Sequence, residues 1–211
     1  MIKAVLFDFD GTLMNTNDLI FESYGYAFRQ VLGRDVTDEE IHDMYGKPLY
    51  SSLAKYGDKQ DEIYRVYREY NEKNHDRLVK FFDGAAEGVR ILHENGYKLA
   101  VVTSKREVTL KRGIKLLGLE DCFDVLITPA DTDKHKPDPT PVLVACERLG
   151  VKPSESVMVG DSVFDLQCGK GAGTKLAAVT YSTTFDALKE YHPEYVVDTL
   201  AELANIIINE K

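Results

Sequence analysis

A short apolar run that ends in two aspartates limits the possible folds of this chain more than any other feature. Residues 2–9 are apolar except for Lys3 and Asp8, and Asp10 and Gly11 follow directly. A nearly continuous apolar run of this length predicts a strand that is buried on both faces, as in a parallel sheet. Because carboxylates are seldom buried without a partner, we expect both aspartates at the carboxyl end of that strand, where α/β sheets open their ligand crevice. Asp-Gly is also a common turn pair, so this segment alone does not separate a site from a turn.

Three later segments carry polar residues after an apolar strand or within a stiff loop. Predicted strands at 97–102 and 156–159 lead into Thr103 and, after one glycine, into Asp161. Between these two strands, Lys136 precedes a Pro-Asp-Pro sequence, in which the prolines fix φ and stiffen the loop. Since parallel strands end at one edge of a sheet, the sequence predicts that these polar groups converge.

The pattern of apolar residues divides the chain into two parts. Helical and strand patterns alternate from residue 83 onward, which predicts a parallel sheet between helices joined by right-handed crossovers. Helical spacing alone marks residues 15–82, where Gly33 is expected to end the first helix and Thr37 to open a capping box with Glu40. We therefore expect an α/β core with a Rossmann-like, doubly wound parallel sheet at 1–14 and 83–211, and an inserted α-helical cap domain at 15–82.

Composition argues against several classes of protein. The chain has 26 Lys and Arg against 35 Asp and Glu, and its net charge of −9 disfavours a nucleic-acid binder. No apolar stretch approaches the ~20 residues of a membrane span, and an apolar run that starts at Ile2 leaves no room for a leader peptide. The three cysteines have no paired spacing, as is usual for reduced thiols. We expect a cytoplasmic monomer or weak dimer with neither nucleic-acid nor membrane partners.

The order and spacing of these segments resemble the haloacid dehalogenase-like phosphohydrolases over essentially the whole chain. The resemblance implies that Asp8 is the nucleophile, which forms an aspartyl-phosphate, and that Asp10 is the general acid and base. It also implies that Lys136, which precedes Pro-x-Pro, neutralises the charge of Asp8 and of the phosphoryl group. Thr103, with Ser104 beside it, is expected to bind phosphoryl oxygens, although a Thr-Ser pair can simply cap the next helix.

The same resemblance implies a Mg2+ cofactor, a hard cation that prefers oxygen ligands and keeps several waters. Asp8 and Asp161 are expected to bind this metal through their carboxylates, and Asp10 through its backbone carbonyl. Asp165 also belongs to the expected acidic set. Its role stays open between direct ligation, ligation through water and orientation of Lys136.

The expected substrate comes from a narrower resemblance in the cap. Segments at 15–20, 46–50 and 67–76 resemble the pyrophosphatase branch of the phosphoglycolate-phosphatase-like group. On this basis Lys47 meets a small anionic leaving group when the cap closes, either the second phosphate of pyrophosphate or a carboxylate such as that of phosphoglycolate. The plainer interpretation treats all three segments as cap framework with a solvated Lys47.

Other functions differ in the residues they require. A haloacid dehalogenase lacks the second aspartate, so Asp10 argues against that activity, whereas a phosphosugar mutase keeps both aspartates and a similar cap. A non-catalytic module would be expected to have lost one of Asp8, Asp10, Lys136 or Asp161, and all four are present. We therefore expect a Mg2+-dependent phosphatase that acts on a small phosphorylated substrate, first of all pyrophosphate. Phosphoglycolate or another small phosphomonoester is the alternative substrate, and a mutase reaction also stays open.

Overall fold

Strands and helices follow one another much as the hydrophobic patterns predict. The structure is a computed structural model that describes residues 1–210. In chain order the elements are β1 (Ala4–Phe7), β2 (Met14–Asn15), α1 (Asn17–Leu32), α2 (Asp38–Met44), α3 (Leu49–Ser52), α4 (Gln60–Leu78), β3 (Lys80–Phe81), α5 (Ala85–Glu94), β4 (Lys98–Val102), α6 (Glu107–Leu117), β5 (Val125–Ile127), α7 (Thr140–Leu149), β6 (Ser156–Gly160), α8 (Val163–Ala172), β7 (Lys175–Val179), α9 (Phe185–Lys189), β8 (Tyr195–Val197) and α10 (Leu200–Asn209). Short 3-10 helices lie at Ala54–Lys59 and Pro153–Glu155.

The core sheet has six parallel strands within residues 1–210, in the order β5-β4-β1-β6-β7-β8. β1 lies between β4 and β6, with Phe7 opposite Val101 on one side and Val159 on the other. The chain adds strands first on one side of β1 and then on the other, so the strand order reverses there. Open α/β sheets bind ligands at such a switch point. The predicted doubly wound α/β fold is confirmed.

Apolar packing fixes the three central strands relative to one another. Leu6 of β1, Val102 of β4 and Met158 of β6 belong to one buried cluster, together with Val142 and Cys146 of α7. Full burial of a Val, Leu or Met side chain stabilises a fold by about 1.5–3 kcal/mol. This shared cluster therefore holds the carboxyl ends of β1, β4 and β6 in fixed register.

The chain divides into two compact units. One comprises Met1–Met14 with the chain from Phe81 onward, and the other comprises Asn15–Lys80. The second crossing lies two residues before the return expected at residue 83. Phe82 is accordingly part of the sheet-containing unit, where its ring stacks on Tyr181 at 4.1 Å between centroids. The two-residue strands β2 and β3 pair with each other, and they are too short for sequence periodicity to reveal.

The helical unit has an apolar core of its own. Tyr24 and Phe28 of α1 pack in one cluster with Ile63 of α4. α1 ends at Gly33, which adopts a φ of 66°, and Thr37 forms the predicted capping box at the start of α2. None of the helices in residues 1–210 combines the length and apolar character that crossing a bilayer requires.

Candidate active site

A buried cluster of charged side chains lies at the carboxyl end of β1. Asp8 directly follows this strand, and the Lys136 ammonium lies 2.7 Å from Asp8 Oδ1 and 2.5 Å from Asp165 Oδ1. The same ammonium donates to the Val102 carbonyl at 3.2 Å. All three charged side chains are at most 10% exposed. The fold thus brings together an acid and a lysine 128 residues apart.

Both carboxylate oxygens of Asp165 accept hydrogen bonds from other groups of the protein. Oδ1 accepts from Lys136, whereas Oδ2 accepts from the Ser162 backbone N–H at 3.0 Å and from the Ser162 hydroxyl at 2.6 Å. These bonds close a capping box at the start of α8. Gly160 makes the arrangement possible, because a Cβ at that position would lie 2.2 Å from the Asp165 Cβ. Of the three roles left open for Asp165, orientation of Lys136 fits these contacts best.

Asp161 is buried at the carboxyl end of β6 and is held by hydroxyl groups. The Thr12 hydroxyl donates to its Oδ1 at 3.3 Å, and its backbone carbonyl accepts from Ser182 at 2.5 Å and from Thr184 at 3.2 Å. The Tyr181 hydroxyl in turn donates to the Thr12 carbonyl at 2.7 Å. The loop after β7 therefore fixes Asp161, and sequence reasoning missed it. The only signal available there was a run of five hydroxyl-bearing residues from Thr180 to Thr184.

Asp10 lies beyond β1 in a tight turn, with its side chain 23% exposed. Gly11 turns the chain with a φ of 86°, and its N–H donates to the Met14 carbonyl at 2.9 Å. Asp10 Oδ1 accepts from the Lys105 ammonium at 2.8 Å. The sequence predicted the place of Asp10 at a strand end, but it gave no role to Lys105.

Thr103 follows β4 and is buried at the same edge of the sheet as Asp8. Its Oγ1 accepts from the Lys105 backbone N–H at 3.1 Å, so the hydroxyl keeps its proton as a donor. α6 begins at Glu107 with Arg106 as its N-cap. The alternative that Thr103 and the half-buried Ser104 are the cap of this helix is therefore wrong.

Lys47 lies in the helical unit, where Asp43 holds its ammonium. The Nζ of Lys47 lies 2.8 Å from Asp43 Oδ1, and the Nζ of Lys55 lies 2.8 Å from Asp43 Oδ2. The Lys47 side chain is 37% exposed. Both lysines donate to the Asp43 carboxylate, and these hydrogen bonds lower its pKa to about 2. The unit thus carries two adjacent lysines on one acid.

Electrostatics at the strand ends favour a bound cation. Carboxylate oxygens of Asp8, Asp161 and Asp165 all lie within 4.8 Å of one another, and all three residues are buried. Burial raises the pKa of Asp8 despite the opposing charge of Lys136. Burial also raises the pKa of Asp161, and the charges of Asp165 and Asp8 add to the rise.

The ammonium of Lys136 is the counter-charge within this cluster. Burial disfavours its charge, but the carboxylates of Asp165 and Asp8 outweigh that effect and raise the pKa of Lys136. One ammonium against three carboxylates leaves surplus negative charge in a buried place. A hard divalent cation with oxygen ligands fits that surplus and that donor set, whereas no cysteine or histidine belongs to the cluster.

Comparison with known proteins adds independent evidence. Residues 5–179 match the family described as haloacid dehalogenase-like hydrolase. A relative from Halalkalibacterium halodurans, named pyrophosphatase PpaX, is 38% identical over 208 residues, which cover 98% of this chain and 97% of the relative. A relative from Clostridium perfringens, with a provisional assignment to the same activity, is 44% identical over 209 residues and 98% of each chain.

A solved structure shares the fold over nearly the whole length. The haloacid dehalogenase-like family hydrolase from Streptococcus pneumoniae superposes with a TM-score of 0.84 at 25% sequence identity, and the match covers 98% of each chain. The similarity therefore includes the sheet that carries the charged cluster and the helical unit as well.

Proposed function

Because the chain belongs to the haloacid dehalogenase-like hydrolase family and is a phosphatase-type hydrolase, we propose that it cleaves inorganic pyrophosphate through an aspartyl-phosphate on Asp8. The observation that carries the proposal is the buried cluster in which Asp8 is paired with Lys136 beside Asp161 and Asp165. Such a cluster serves phosphoryl transfer, in which positioning and charge stabilisation supply most of the catalysis.

In the first step a carboxylate oxygen of Asp8 attacks the phosphorus, and the bond from phosphorus to the leaving oxygen breaks. Lys136 lies close enough to Asp8 to offset the negative charge that both the nucleophile and the phosphoryl group bring. The Thr103 hydroxyl, which keeps its proton, donates to a phosphoryl oxygen. Burial excludes water from Asp8 and strengthens these interactions.

Asp10 transfers the protons of both steps. It gives a proton to the leaving oxygen while the aspartyl-phosphate forms, and it then takes a proton from the water that attacks this intermediate. The second step releases phosphate and restores Asp8. The partial exposure of Asp10 supports this role, because its carboxylate must meet both a leaving group and a water molecule.

Mg2+ is the metal that we assign to this site. Asp8 and Asp161 would hold it through their carboxylates and Asp10 through its backbone carbonyl, while Asp165 would stay bound to Lys136. When bound there, Mg2+ offsets the charge of the phosphoryl oxygens and orients them. The hydroxyl contacts of Ser182 and Thr184 to the Asp161 backbone fix one of these ligands in advance.

Pyrophosphate is favoured as the substrate by two observations. Relatives of this chain at 38–44% identity over nearly their whole length carry pyrophosphatase names. The helical unit also presents the Lys47 ammonium, and a cation suits a leaving phosphate better than an uncharged sugar. Lys47 recognises the outer phosphate in this proposal.

The test measures kcat/KM for pyrophosphate, phosphoglycolate and a glucose phosphate with Mg2+ present. We expect pyrophosphate to have the highest kcat/KM and the glucose phosphate the lowest. Lys47→Ala should lower the preference for pyrophosphate over the glucose phosphate by about 10-fold, because the loss of one charged contact costs roughly 1.5 kcal/mol.

Lys55→Ala is the matched control, because Lys55 pairs with the same acid at the same distance. It is expected to leave the ranking nearly unchanged. A glucose phosphate as the best substrate, or a ranking that Lys47→Ala does not alter, contradicts the substrate assignment. A glucose monophosphate that is converted to its isomer without net release of phosphate identifies a mutase instead.

A further inference from the structure

Lys105 is a second lysine that contacts a proposed catalytic carboxylate. Its ammonium lies 2.8 Å from Asp10 Oδ1, and its side chain is only 9% exposed. Lys47 and Lys55, which pair with an acid at the same distance, are 37% and 41% exposed. Exposed ion pairs contribute little because water competes for both partners. The Lys105–Asp10 pair is more protected, and its geometry is accordingly better defined.

The position of Lys105 is fixed from both ends of the residue. Its backbone N–H donates to Thr103 Oγ1 at 3.1 Å, and its ammonium stands 5.6 Å from the centroid of the Phe9 ring. Phe9 is fully buried against α6, where a Cβ on Gly113 would lie 2.5 Å from the Phe9 Cζ. The ammonium therefore has a defined place next to Asp10.

We propose that Lys105 is a positioning residue, which holds the Asp10 carboxylate in the orientation that delivers its proton to the leaving oxygen. This inference rests on the proposed role of Asp10. Lys105 binds Oδ1, so Oδ2 is the oxygen that carries the proton. In the first step the bond from Asp8 to phosphorus forms, the bond to the leaving oxygen breaks, and the proton passes from Asp10 Oδ2 to that oxygen.

Removal of Lys105 lets the Asp10 side chain rotate toward solvent, since the ammonium holds its Oδ1 and the side chain is already 23% exposed. The acid then spends less time in the productive orientation. Loss of an outer partner that orients a metal ligand commonly lowers metal affinity or activity about 10- to 100-fold, and we expect a loss of the same order for the orientation of Asp10. The loss should be greatest for leaving groups that need a proton in order to depart.

The experiment compares phenyl phosphate with p-nitrophenyl phosphate, which are nearly identical in shape but differ in the basicity of the leaving oxygen. For Lys105→Met we expect kcat/KM to fall about 10-fold with phenyl phosphate and less than about 3-fold with p-nitrophenyl phosphate, since p-nitrophenolate departs without protonation. Lys105→Arg, which keeps the cation, should retain most of the wild-type kcat/KM with phenyl phosphate.

Lys111→Met is the matched control, because Lys111 lies on α6 in an exposed pair with Glu107 and its side chain is 63% exposed. This variant should have the wild-type kcat/KM with both substrates. Thermal unfolding of each variant separates loss of fold from loss of orientation, and Lys105→Gln serves if Lys105→Met does not fold.

Three results would overturn the proposal. An equal loss with both esters, or no loss with either, excludes a role for Lys105 in proton delivery. A loss confined to pyrophosphate and expressed as a higher KM means that Lys105 binds the outer phosphate directly. The ratio of the two esters does not depend on which phosphate compound is the physiological substrate, so the failure of the substrate assignment is distinguishable from failure of this inference.

Discussion

Replacement of Gly160 by alanine tests how strictly the backbone after β6 sets the geometry of the charged cluster. A Cβ at this position would lie 2.2 Å from the Asp165 Cβ, 2.5 Å from its Cγ and 2.6 Å from its Oδ2. Ordinary contacts of a Cβ begin at 3.4 Å. Asp165 must therefore shift by about 1 Å, and it lies at the start of a capped helix that resists such a shift.

Both stability and activity should respond to this displacement. Overpacking of a buried site costs about 1–3 kcal/mol, and a weakened buried hydrogen bond to a charged group adds about 1 kcal/mol or more. A total of about 2–4 kcal/mol corresponds to a melting temperature lower by roughly 4–16 °C for a chain of this size. A shift of Asp165 also moves the Lys136 ammonium, which is hydrogen-bonded to it. Misplacement of a catalytic group by about 1 Å can reduce kcat/KM by about 100-fold.

Thermal unfolding and kcat/KM with p-nitrophenyl phosphate measure the two effects in the same protein. Gly25→Ala is the control, because its Cβ meets no atom nearer than the guanidinium of Arg29 at 3.3 Å, and that side chain is exposed and flexible. Alanine within α1 should leave activity unchanged and stabilise the helix by up to about 1 kcal/mol. A Gly160→Ala protein with wild-type melting temperature and wild-type kcat/KM would contradict this prediction.

Two further predictions concern the nucleophile and the metal. Asp8→Asn should abolish turnover with the fold intact, because an amide cannot attack phosphorus, whereas Asp10→Asn should slow turnover by about 10²–10⁴-fold; steady-state phosphate release by Asp8→Asn, with deamidation excluded by mass spectrometry, would contradict the covalent mechanism. A chelator should remove activity and Mg2+ should restore it, while Ca2+ binds with little turnover and Asp161→Asn weakens Mg2+ binding in calorimetry; full activity in excess chelator is the contrary result.

Most of the fold was predictable because each element carries its own local signal. Buried parallel strands appear as short apolar runs, and Gly33 and the Thr37 capping box marked helix ends that the structure has in the same places. The paired strands β2 and β3 were not predictable, since two residues cannot show a period. The alternation of helices and strands predicted a doubly wound parallel sheet, because crossovers of one hand leave few topologies, but it did not predict which strands are neighbours.

Three residues of the proposed site were predictable because a strand leads into each of them, whereas Lys136 was marked by the prolines that follow it and Asp165 by the family resemblance. Asp8, Thr103 and Asp161 stand at such positions, and the fold places them at one edge of the sheet. The groups that hold these residues in place are distant in sequence and carry no motif. Ser182 reaches the Asp161 carbonyl from the loop after β7, and Gly160 matters only because Asp165 folds back against it.

Lys136 and Lys105 each pair with one of the two carboxylates of the proposed mechanism, and the two pairs differ in their exposure to solvent. The Lys136 side chain is 4% exposed and that of Asp8 10%, whereas Lys105 is 9% and Asp10 23% exposed. Burial favours a nucleophile, because hydration weakens its attack and water competes with it for the phosphoryl group. A general acid and base must exchange protons with a leaving group and then with water, so it needs a fixed direction rather than full burial. In the proposed mechanism each carboxylate therefore has a lysine suited to its task, with Lys136 balancing charge at Asp8 and Lys105 fixing orientation at Asp10.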